Sequence, residues 1–96
     1  MRHYIILGNW TEAGMKNIRQ SPERYDAFKQ ICVKHGGQCT SFHMTMGHFD
    51  LVAHVDAPDD ESIARILLAL GQSGSVRTVT LPAFDEAAYR RLTTGG

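Results

Sequence analysis

Five histidines stand in a chain of 96 residues, and imidazole is the side chain that most readily exchanges protons near neutral pH and a common ligand of transition metals. His43 and His54 fall within two β-branched, apolar-rich segments separated by Gly47-His48, with Asp50 between them. Together they form a candidate catalytic set. Two imidazoles on one surface can share a divalent transition metal (Cu, Zn, Ni or Fe, among which the sequence does not choose) that keeps an open coordination position. Two protein ligands hold a metal weakly, so a third would come from His3, His48, a partner subunit or water. Such a site supports oxidative chemistry; without metal, one imidazole acts as a general base and the same residues support acid/base chemistry. The plainer alternative is a pair of polar residues at a subunit interface, hydrogen-bonded to Ser41, Thr45 or Asp50. His35, near a predicted helix end, is set aside as a capping cation.

Other chemistries find little support. Cys32 and Cys39 are the only cysteines, with neither a CxxC pair nor a Cys/His spacing for structural zinc, and two thiols cannot build a secreted disulfide framework. There is no phosphate-binding glycine loop or nucleophile elbow, so no nucleotide cofactor is expected. Ten Lys+Arg balance ten Asp+Glu, which gives no electrostatic footprint for nucleic acid or an anionic membrane. With no signal-peptide core or membrane span in the sequence, a cytoplasmic location is expected. A 10.7 kDa chain exposes about 5,500 Å² folded and about 15,500 Å² extended, enough burial for one core but not two. One domain over residues 1–92 and a frayed tail over 93–96 are expected.

The positioning elements follow from periodicity. Tyr4 to Trp10 reads as a first strand. Ser21-Pro22-Glu23 opens a helix from about Pro22 to His35, closed by Gly36-Gly37. Gln38–Met46 and Phe49–Ala57 form a hairpin in which Gly47-His48 are the turn residues. Acidic residues 59–61 start a second helix that ends at Gly71, Val76–Leu81 is a fourth strand, and Asp85–Tyr89 begins a short terminal helix. The order β-α-β-β-α-β is an α+β, ferredoxin-like arrangement with helices on one sheet face. Its other face needs cover, and a homodimer or higher homo-oligomer enclosing a small-molecule cleft is the expectation.

With Gly47-His48 as the turn, Ser41 pairs with His54, Phe42 with Ala53, His43 with Val52 and Met44 with Leu51. Phe42, Met44, Met46, Phe49, Leu51, Ala53 and Val55 then face the core, and Ser41, His43, Thr45, Asp50, Val52 and His54 face the open side. His43 and His54 are diagonal neighbours on it, about 7 Å apart. In the first strand Ile5 and Leu7 suit the core, leaving Tyr4 and Trp10 as aromatic walls of the cleft, with Ser41 and Thr45 as further substrate-binding residues. The reverse parity, with strands one and three taken as parallel, would instead bring His3 toward His48 and Asp50.

The residues Leu7-Gly8-Asn9-Trp10-Thr11, Gly14, Ser21-Pro22, Thr45 to Ala53, Ala57-Pro58-Asp59-Asp60 and Val76-Arg77-Thr78 together resemble the GYD-domain family. The resemblance covers nearly the whole chain. It implies the ferredoxin-like fold and the dimeric α/β-barrel type of assembly, a group that includes small oxidoreductases and other enzymes as well as non-catalytic ligand-sensing modules. The aromatic position of the glycine–aromatic–aspartate motif is Phe49 here, which removes a phenol hydroxyl, and His43 and His54 replace the Tyr and aliphatic residue that the family pattern implies. On this reading the chain is a small-molecule enzyme or binder with a histidine cleft on the open sheet face; the alternative is a non-catalytic sensing or oligomeric assembly module.

Overall fold

The computed structural model describes residues 1–95. In chain order it forms β1 (Arg2–Trp10), α1 (Glu12–Lys16), a 3₁₀ turn (Ile18–Gln20), α2 (Ser21–Lys34), β2 (Gln38–Met44), β3 (Leu51–Ala57), α3 (Asp60–Gly71), β4 (Val76–Ala83) and α4 (Glu86–Thr93). Short polar side chains start three of the helices. Thr11 Oγ1 accepts the Gly14 N–H at 3.1 Å, Asp59 the Ser62 N–H at 2.8 Å and Asp85 the Ala88 N–H at 2.8 Å. Each satisfies an amide that has no partner within its helix. At the other end of α2, Gly36 takes φ +82° and the Gly37 N–H reaches back to the Cys32 carbonyl at 2.9 Å, the αL closure that glycine allows. Gly96 lies outside the described residues, and Thr93, expected in the tail, is the last residue of α4.

The four strands form one antiparallel sheet in the order β2-β3-β1-β4, which is the ferredoxin-like topology. Tyr4, Ile6, Ala53, Val55 and Ala57 from the sheet meet Phe28 and Cys32 of α2 and Ile63 and Ile66 of α3 in one core. Helices therefore cover a single face. The hairpin register is the expected one from Ser41↔His54 to Met44↔Leu51, and a bulge between Cys39 and Ser41 shifts it by one residue beyond.

Several expectations are corrected. The parity of β1 is reversed: Tyr4 and Ile6 are buried, whereas Ile5 and Leu7 are half-buried on the uncovered face. Sequence alternation is uninformative there, because Tyr4 to Leu7 is apolar on both sides, as in strands buried on two faces. β1 and β3 run antiparallel, so His3 sits opposite Asp56 and not near His48 or Asp50. The hairpin ends in a longer loop closed by the Thr45 N–H on the Asp50 carbonyl at 2.7 Å, and Gly47, at φ 159°, lies outside the backbone of a two-residue II′ turn. That loop overhangs the helical layer, so Met44 and Met46 are exposed, not core.

α1 docks against the loop before β4, where Thr11 also donates its hydroxyl to the Gly74 carbonyl at 2.6 Å and its N–H to the Ser75 carbonyl at 3.0 Å. A Cβ on Gly14 would run into the Ser75 carbonyl, whereas one on Gly71 would meet nothing. Gly14→Ala should therefore cost about 1–3 kcal/mol of stability, and Gly71→Ala should be neutral or stabilise by up to about 1 kcal/mol. Urea unfolding of the two variants checks the contrast; equal midpoints would contradict the docking of α1.

Candidate functional site

The register places the open face in rows, because directly opposed residues of antiparallel strands share a face. Ser41, His54, Ile5 and Leu81 form one row; His43, Val52, Leu7 and Val79 form the next. Below the first row lie Asp56, His3 and Ala83, and beyond the second Asn9 stands opposite Arg77. Ile5, Leu7, Val52, Val79 and Leu81 thus make an unbroken aliphatic stripe across three strands. Val79 and Leu81 are 50% and 44% exposed. His43 and His54, both exposed, border the stripe on its β2 side as diagonal neighbours, in the arrangement expected.

The expected site residues do not gather at one point. Ser41 is beside His54 on the open face, but Thr45 turns its hydroxyl to the Phe49 carbonyl within the hairpin loop, and His48 is exposed in that loop. Asp50 fastens the hairpin to β1: its carboxylate accepts the Trp10 N–H at 3.1 Å, while its own N–H donates to the Gly8 carbonyl at 2.9 Å and to Asn9 Oδ1 at 3.2 Å. His3 bridges two carboxylates, with Nδ1 at 2.6 Å from Asp56 and Nε2 at 3.4 Å from Asp85, and so ties the entry of α4 to the sheet. His35 caps α2 at its carboxyl end. Among the described residues no three His, Cys, Asp or Glu side chains lie where they could hold one metal ion.

Tyr4 and Trp10, expected as walls of the open-face cleft, belong to the covered side. Tyr4 is 2% exposed, and its hydroxyl donates to Asp60 Oδ1 at 2.6 Å; burial first, and then this hydrogen bond, push its phenol up to about 12. Trp10 instead lines a cavity of about 60 Å³ between α2 and the sheet, together with Gly8, Arg24, Phe28, Phe42 and Val76. Arg24 was not legible as a site residue, since one cation on an amphipathic helix is an ordinary solvated side chain. Gly8 carried the available signal, because glycine inside a strand marks a place where a side chain is missing from the packed face. The thiols are poor nucleophiles: burial pushes Cys32 up to about 12 and also raises Cys39.

An α+β domain of ferredoxin-like topology with one apolar sheet face uncovered is the class these features define. The chain belongs to the GYD domain family, whose model matches residues 4–93. It is similar to a protein of Thermus thermophilus described as "Glutamine synthetase and cystathionine beta-lyase binding protein", at 32% identity over 88 residues, 91% of this chain and 93% of that one. Among solved structures, MtbAldR superposes with a TM-score of 0.68 at 16% identity, covering 88% of this chain and 52% of that one. FFRP-DM1 gives 0.62 at 13% identity, covering 88% and 100%. TTHA0845, also from Thermus thermophilus, gives 0.56 at 24% identity, covering 88% and 95%. These structural likenesses show the fold. No described helix is long and apolar enough to cross a membrane.

The raised phenol has a pH consequence. Between 10, its ordinary value, and about 12, folded Tyr4 keeps a proton that the unfolded chain has lost, so its contribution to stability is complete below pH 10 and disappears as pH rises through the folded value. Tyr4→Phe should remove a late-ionising phenol from an absorbance titration and flatten the stability loss over this interval. Loss instead of a phenol that ionises at the ordinary value of 10 would contradict the Tyr4–Asp60 assignment.

Proposed function

We propose that this chain is a non-catalytic assembly module that pairs with a second copy through its open sheet face and, as a pair, binds a metabolic enzyme. The aliphatic stripe of Ile5, Leu7, Val52, Val79 and Leu81 carries the reading. Continuous apolar surface at the centre of a sheet is characteristic of an interface, since isolated exposed aliphatics suffice for an ordinary surface. Total surface supports it too: the chain exposes 6660 Å², against about 5,500 Å² for a monomer of its mass. The excess is comparable with the roughly 800 Å² that each partner buries in a standard interface. α4 adds to the unpartnered surface, burying none of its residues and leaving Tyr89 and Leu92 exposed at 62% and 59% with Phe84 at 75% just before it. The description of the Thermus thermophilus relative as a binding protein for two enzymes favours glutamine synthetase or cystathionine β-lyase as the partner.

The experiment is binding of the purified chain to immobilised glutamine synthetase and cystathionine β-lyase from its own source. Saturable binding to at least one of them, weakened about tenfold or more by Val79→Glu through the cost of burying a carboxylate in the stripe, is the expected result. Failure of both enzymes to bind would overturn the assignment of partner, and full binding by Val79→Glu would overturn the role of the stripe.

Metal-dependent oxidative or acid/base chemistry at His43 and His54 is a second reading, favoured by their diagonal placement on one exposed face. Two imidazoles fall short of the three or four protein ligands of a stable transition-metal site, so this reading requires the partner copy to complete the set. It predicts stoichiometric metal in purified wild type and its loss from the His43→Ala/His54→Ala variant by elemental analysis. Full retention of metal in that variant would contradict it.

A further inference from the structure

The cavity between α2 and the sheet lies on the opposite side from the proposed interface and plays no part in it. Its origin is compositional. On the covered face of β1 the side chains run Tyr4, Ile6, Gly8, Trp10, and the missing side chain at Gly8 leaves the space that Phe28, Phe42 and Val76 surround. A volume of about 60 Å³ is several times the roughly 10–15 Å³ needed to hold one water-sized group. Apolar atoms make up most of its wall, and such a space favours hydrocarbon over water.

At its rim stands a cation held in place. The Arg24 guanidinium donates to the Asn17 carbonyl at 2.9 Å and to the Gly14 carbonyl at 3.2 Å, which fixes its plane and leaves three of its five N–H donors unused. Among the described residues no carboxylate forms an ion pair with it. An oriented, acid-free guanidinium beside an apolar hollow matches a carboxylate carried on a short hydrocarbon body. The cavity wall contains no Asp or Glu, so the ammonium of an amino acid would find no charged partner there.

We infer that this cavity binds a small monocarboxylic acid, with the hydrocarbon body packed over Gly8 against Trp10 and Phe28 and the carboxylate on Arg24. The chain has a single tryptophan, and it lines the cavity, so Trp10 fluorescence reports occupancy directly. 4-Methylpentanoate, a short branched hydrocarbon body ending in a carboxylate, is the probe, compared with its uncharged amide and with leucine. Expected is a saturable change with the acid and at least about tenfold weaker binding of the amide, since the bond to a charged acceptor is the stronger one. Leucine should also bind more weakly.

Arg24→Met, which keeps the aliphatic stem, should weaken the acid to the level of the amide. Gly8→Ala should weaken acid and amide together: its Cβ lies 3.6 Å from Leu51 Cβ and 3.7 Å from Val76 Cγ2, ordinary contact that narrows the cavity without unfolding the chain. Thermal melts of both variants confirm folding, and if either fails the acid–amide comparison on wild type decides. No saturable change with the acid, equal affinity for acid and amide, or leucine binding as tightly as the acid would overturn the inference.

Discussion

Tyr4 is the residue on which the arrangement of both sheet faces depends. Its ring is buried between the sheet and the helices, and its hydroxyl finds Asp60 in the first turn of α3, so a side chain that is apolar along its body and polar at its tip is satisfied at both ends. With Tyr4 turned inward, the period of two directs Ile6, Gly8 and Trp10 to the helices and His3, Ile5, Leu7 and Asn9 to the open side. A slip of one residue would move Ile5 and Leu7 inward but leave the Tyr4 ring in water and take its hydroxyl away from Asp60. The central strand thus presents hydrocarbon on both faces, and only one of them is covered within the chain.

Two unlike surfaces result from this single choice. On the open side the aliphatic residues of β1, β3 and β4 line up in adjacent rows, and the histidines of β2 and β3 fall at the border of that stripe. On the covered side Gly8 interrupts the row of large residues just where Trp10 and Arg24 approach, leaving a hollow with an oriented cation at its rim. One surface is broad and suited to a protein, the other small and suited to a ligand. They share the backbone of β1, and Asp50 anchors the hairpin to the end of that same strand through the Trp10 amide.

Much of the fold was legible in the residues. The acids at 59–61 and the glycines at 36–37 delimit helices because they satisfy or free specific backbone groups, and the hairpin register follows from Gly47-His48 as the turn; the pairing from Ser41 to Met44 is the one expected although the loop is longer than two residues. The parity of β1 was not legible. A run of apolar residues carries no alternation, and the deciding contact, Tyr4 with Asp60, joins positions far apart in the chain. For the same reason the placement of His43 and His54 on a common face could be read from local pairing alone, whereas the cavity at Gly8 and Arg24 required knowing which way β1 faces and where the start of α2 lies over it. Met44 and Met46 show the limit of a face argument: they sit at the overhanging end of the hairpin, where no helix reaches.

Whether the open face meets a second copy is the central question, and sedimentation equilibrium of the wild-type chain answers it most directly. At about 100 µM, a concentration at which even a dissociation constant of order 10 µM leaves most chains paired, a particle of at least twice the 10.7 kDa chain mass is expected. A single species of 10.7 kDa under those conditions would contradict it.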